Sequence, residues 1–179
     1  VPAILEAWQP GTEGGHAVAD ILFGDVNPGG KLPVTFPRKA SHAPLYYARV
    51  LSHQPEDHPM YRSRYWDGPT TPLYPFGFGL SYTTFAIENL KLSSEQVKVG
   101  GALTVSVDVT NTGTVAGDEV VQAYVHQKAG SDSRPMRELK GFERVSLAPG
   151  ETRAVTFTLG PAELGYWSTS ARKWVQDAE

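Results

Sequence analysis

Residues 103–110 alternate without a break, with Leu103, Val105, Val107 and Val109 interleaved by Thr104, Ser106, Asp108 and Thr110. A period of two puts successive side chains on opposite faces of an extended chain, so this stretch predicts a half-buried strand. A helix would scatter the same four apolar residues around its axis. The pattern recurs downstream. Val120–His126 carries Val121, Ala123 and Val125 on one face and Val120 and Tyr124 on the other. Leu139–Leu147 and Ala154–Leu159 follow, the last with Val155, Phe157 and Leu159 inward. Asn111-Thr112-Gly113 and Ala148-Pro149-Gly150-Glu151 supply turn chemistry between strands. Short strands punctuated in this way predict an immunoglobulin/fibronectin III-like β-sandwich over residues 84–179, which makes the chain mainly β.

The first part of the chain follows other rules. Val1–Trp8 is an apolar run that reads as a buried strand, and Pro10-Gly11-Thr12-Glu13-Gly14-Gly15 reads as a glycine-rich turn. Ala17, Val18, Ile21 and Leu22 then form two i,i+4 apolar pairs, the mark of an amphipathic helix, which Gly24 ends. Asp25, Asn27-Pro28 and Gly29-Gly30 continue as loop, and Leu32–Pro37 is an extended segment pinned by Pro33 and Pro37. Residues 1–37 therefore read as a truncated strand–turn–helix remnant of an α/β domain. Residues 38–83 read as an irregular, aromatic-rich inter-domain segment, a length of loop that is unusual unless it wraps other protein or serves a site.

Composition removes several classes. Net charge is -3 with both signs scattered, which argues against a nucleic-acid surface or an anionic membrane as partner. There is no cysteine, so neither a disulfide framework nor a thiolate metal site is available. No apolar run approaches the roughly 20 residues of a membrane helix. The chain opens on Val1 without a charged segment ahead of an apolar one, so the opening does not read as a signal peptide and the natural start is expected upstream.

Several long, ordered motifs point further. Trp8-Gln9-Pro10-Gly11-Thr12-Glu13-Gly14-Gly15 and Ala19–Pro37 resemble the closing segment of the α/β-sandwich domain of glycoside hydrolase family 3. Pro72–Phe85 is similar to that family's junction with its fibronectin type III-like domain, and Val109–Gly113, Gly117–Gln122 and Leu139–Phe142 to motifs within that domain. The resemblance covers essentially the whole chain. It implies a retaining, exo-acting β-glucosidase as parent, using two carboxylates about 5–5.5 Å apart as nucleophile and acid/base. In that family both carboxylates lie upstream of the matched segments, so no catalytic residue is carried onto this chain and no cofactor or metal is expected. The implied partners are the upstream catalytic domains of the same polypeptide and, through them, a β-glucoside; a homodimer of the parent is a further option. The implied compartment is periplasmic or secreted rather than cytoplasmic. Family members continue beyond the Tyr166-Trp167 region with a hairpin, and this chain is expected to stop just as that hairpin begins, leaving the sandwich short of its last strands.

Candidate residues are few. Tyr61-Arg62-Ser63-Arg64-Tyr65-Trp66-Asp67 combines aromatic faces that stack on sugar rings with groups that hydrogen-bond hydroxyls. Arg62, Arg64, Tyr65, Trp66 and Asp67 are therefore the substrate-binding candidates, set against a plain packing loop. Glu13 is expected to be a helix N-terminal acid and Asp25 a turn residue with Asn27. His53 and His58, with Glu56 and Asp57 between, are weighed as a weak cation site and read as a solvated loop. The competing function class is a stand-alone fibronectin-like adhesion or binding module, which would have no use for the strand–turn–helix unit in front of its sandwich.

Overall fold

The structure is a computed structural model that describes residues 3–50 and 68–177. Helix α1 spans Gly14–Phe23, and a short 3-10 turn occupies Ala40–His42. Then come strands β1 (Phe85–Leu92), β2 (Leu103–Asn111), β3 (Gly117–Val125), β4 (Glu138–Leu147) and β5 (Thr152–Leu159). A one-turn helix α2 (Pro161–Leu164) leads into a small hairpin, β6 (Tyr166–Ser168) and β7 (Lys173–Val175).

The alternating segments fold as their period dictates. β1, β2 and β5 form an antiparallel sheet in that order, and β3 pairs with β4 in a second sheet. Val109 of β2, Val121 of β3, Val145 and Leu147 of β4 and Val155 of β5 make one buried cluster, so the two sheets face each other across a shared core. Phe85, Val107 and Phe157 pack against it from the rim. β1 is an edge strand whose alternation breaks at Asn89, where φ is 55° and the register with β2 shifts. Most of β1 is exposed, which is why its sequence carries no clear inward face.

A polar residue, Asn111, is buried beside this core. Asn111 is fully buried and uses all of its amide. Its Nδ2 donates to the carbonyls of Val115 (2.9 Å) and Leu147 (3.0 Å), while its Oδ1 accepts from the Thr83 hydroxyl (2.7 Å) and the Gly113 amide (3.1 Å). These bonds tie the end of β2, the following turn, the end of β4 and the approach to β1 into one knot.

One expectation is corrected. Residues 3–8 form no strand and lie mostly exposed, with Ile4 62% and Trp8 54% accessible. An apolar run becomes a strand only against a neighbouring ladder, and no strand among the described residues offers one. At the other end, β6 and β7 pair as a small hairpin of their own, with Trp167 opposite Trp174, separate from the two sheets of the sandwich. Its turn holds Arg172 in the left-handed region, at φ 53°.

The hairpin is latched by Asp177. Its carboxylate accepts from the Tyr166 hydroxyl (2.8 Å), the Ser131 amide and hydroxyl (3.0 and 2.8 Å) and Gln127 Nε2 (3.0 Å). Arg134 lies 4.1 Å over the Tyr166 ring. The Tyr166 hydroxyl first, then Ser131, hold the Asp177 carboxyl below its ordinary value.

Two outcomes test this account. Asn111→Ala removes four hydrogen bonds, two of them buried, and should cost about 3 kcal/mol, lowering Tm by roughly 6–12 °C in thermal unfolding. The Asp177 latch stabilises only when ionised, because its folded-state pKa is depressed. Its contribution is full above the ordinary carboxylate value of about 3.9 and disappears as pH falls through the lowered folded-state value. The Tm gap between the natural chain and Asp177→Asn should thus be open at pH 7 and close as acid is added.

Candidate functional site

The first segment meets the sandwich along a seam of polar and aromatic contacts. α1 forms as predicted from its i,i+4 pairs, and Gly24 closes it at φ 87°, its amide donating to the Ile21 carbonyl. The chain then turns through Asn27, whose side chain works as a three-way bracket. Its Oδ1 accepts from the Ser81 hydroxyl and the Tyr82 amide (both 2.8 Å), and its Nδ2 donates to the Ala116 carbonyl (3.0 Å). Tyr82 reaches back to donate to the Ile21 carbonyl at 2.7 Å, tying the helix itself to the approach to β1.

Beyond Asn27, residues 32–36 run beside residues 73–78. Leu32 N donates to Phe78 O, Gly77 N to Leu32 O, Phe36 N to Tyr74 O and Leu73 N to Phe36 O, each at 2.8 Å. Pro33 lies between the bonded Leu32 and Phe36 and Pro37 just after them, and neither occupies a donor position. The aromatics that crowd the sequence here stack along the seam. Tyr74 lies on Phe78 at 5.2 Å, Tyr47 on Phe76 at 4.1 Å, and Tyr47 meets Tyr124 of β3 edge-on at 6.2 Å. Trp8 meets Phe36 edge-on at 6.1 Å.

Two polar contacts fasten the seam to β3. Lys31 Nζ lies 2.9 Å from Glu119 and donates to the Gly79 carbonyl at 3.0 Å, with both side chains about 85% shielded from solvent. Gln122 Nε2 donates to the Gly77 carbonyl at 3.0 Å and its Oε1 accepts from Tyr124. Gly77 is there of necessity. Its φ is +80°, and a Cβ would stand 2.2 Å from Gln122 Oε1.

The carboxylates shifted by their surroundings serve structure. The Ser146 hydroxyl, and then the Arg144 guanidinium, hold Asp118 below its ordinary value, and Arg144 Nε donates to it at 2.7 Å. Backbone and Arg153 hydrogen bonds do the same for Glu151. A carboxyl pushed down is the reverse of what a general acid needs at neutral pH. Glu13 stands exposed at the start of α1 and lies 2.9 Å from His16. Asp25 borders a shallow surface depression with Asp118 and Arg144. Among the described residues no group of three or more His, Asp or Glu could hold a metal ion. Arg62, Arg64, Tyr65, Trp66 and Asp67 lie outside the described residues, as do His53, Glu56, Asp57 and His58.

What the seam holds in place is an uncovered apolar surface. On α1, Val18 and Ile21 are half-buried, while Leu22 is 64% and Phe23 85% accessible, and Val26 follows at 49%. A ten-residue helix gains too little from its own hydrogen bonds to persist alone, so its stability depends on packing that this chain only half supplies.

The glycosyl hydrolase family 3 C-terminal domain matches residues 1–82, and the fibronectin type III-like domain matches residues 119–179. Residues 1–82 thus belong to the C-terminal domain of glycosyl hydrolase family 3. The chain is 48% identical over 169 residues to a periplasmic beta-glucosidase of Salmonella typhimurium, covering 93% of this chain and 22% of the relative. A beta-xylosidase of Formosa agariphila is 47% identical over 98% of this chain and 24% of its own length. The beta-glucosidase of Listeria innocua, solved in complex with gluconolactone, superposes with a TM-score of 0.90 at 38% identity, over 96% of this chain and 24% of that one. The chain thus spans about a quarter of the length of the family 3 relatives it matches, in their C-terminal region.

Loss of the Lys31 ammonium tests the seam. Lys31→Met leaves Glu119 shielded and unpaired and should cost on the order of 2–3 kcal/mol. The double variant Lys31→Met/Glu119→Met should regain most of that loss in thermal unfolding, because the cost comes from the stranded charge.

Proposed function

We propose that this chain is the non-catalytic C-terminal part of a retaining, exo-acting hydrolase of terminal β-D-glucosidic bonds. Its role is to support catalytic domains that lie elsewhere in the same polypeptide. The observation that carries the reading is the pairing of a tightly fastened seam with an uncovered helix face. Asn27, Lys31 and the 32–36/73–78 pairing hold α1 rigidly on the sandwich, while Leu22, Phe23 and Val26 stay exposed. Large exposed apolar groups on a fixed element mark a contact surface. A stand-alone adhesion module gains nothing from such an element, and one belonging to a larger enzyme requires it.

In this reading the two catalytic carboxylates are supplied by the rest of the enzyme, and the sandwich buttresses the domain that α1 completes. Arg62, Arg64, Tyr65, Trp66 and Asp67 are the residues of this chain proposed to border the sugar. The periplasmic relative supports an exported, periplasmic or secreted enzyme, and no described helix is long and apolar enough to cross a membrane. β-Xyloside hydrolysis is the second reading, favoured by the almost equal identity to a beta-xylosidase.

Hydrolysis of aryl β-glucoside and aryl β-xyloside, by this chain alone and by the chain joined to an upstream family 3 polypeptide, tests both. Activity is expected only in the joined form, with the glucoside turned over faster. A faster xyloside rate would select the second reading. Turnover by the chain alone, retained after repurification, would overturn both and direct attention to Glu13, Asp25, Glu56, Asp57 and Asp67.

A further inference from the structure

We draw no further inference here: the strongest candidate, the second edge of β3, which no strand among the described residues pairs and beside which Ile87 and Leu92 of β1 stay half exposed, names no occupant beyond the last strands that the family resemblance already implies.

Discussion

The backbone pairing of residues 32–36 with residues 73–78 is the constraint from which the rest of the arrangement follows. Neither stretch belongs to a sheet, and each carries peptide groups that must be satisfied away from bulk water. By satisfying each other they bring together parts of the chain that are far apart in sequence. Once they lie side by side, the rings of Tyr74 and Phe78 can stack, Lys31 can reach Glu119, and Gln122 can reach the Gly77 carbonyl. The aromatic crowding of the sequence is thus a consequence of the seam. Backbone pairing sets the register, and the rings fill the space that the register leaves.

The sandwich answers to a different logic, and the two meet at Asn111. Hydrophobic alternation specifies which residues of β2, β4 and β5 point inward, but an apolar core alone does not say how strand ends connect. The four hydrogen bonds of one buried amide do. Because Thr83 is among its partners, the knot that closes the sandwich also fixes the point at which the seam enters it. A polar group in a core is costly unless fully paired, and here the pairing spans the end of β2, the loop after it, the end of β4 and the approach to β1.

These two logics explain what could be read from the sequence and what could not. β2, β3, β4 and β5 are legible because burial of one face writes a period of two, and α1 because Val18, Ile21 and Leu22 lie on one side and Gly24 closes it. β1 is not legible, since an exposed edge strand interrupted at Asn89 has no face to encode. Asn27 reads as an ordinary turn residue; its bracket depends on Ser81, Tyr82 and Ala116, which local patterning does not connect to it. The run at residues 3–8 misleads for the opposite reason, being apolar enough for a strand but without a ladder to join. The stretch that drew most attention in the sequence, Arg62 to Asp67, falls outside the described residues.

The seam also changes what an intact chain means here. Residues 3–50 and the sandwich are joined by a web of contacts, from Asn27 and Lys31 to Tyr47 and Arg49, that does not depend on the peptide bonds between residues 50 and 68. A protease cut in that interval would break the covalent thread and leave the two pieces clasped, running as one species on a sizing column and separating only in denaturant. Chain continuity and structural continuity are therefore separate properties in this protein, and only the second is needed to hold α1 where it stands.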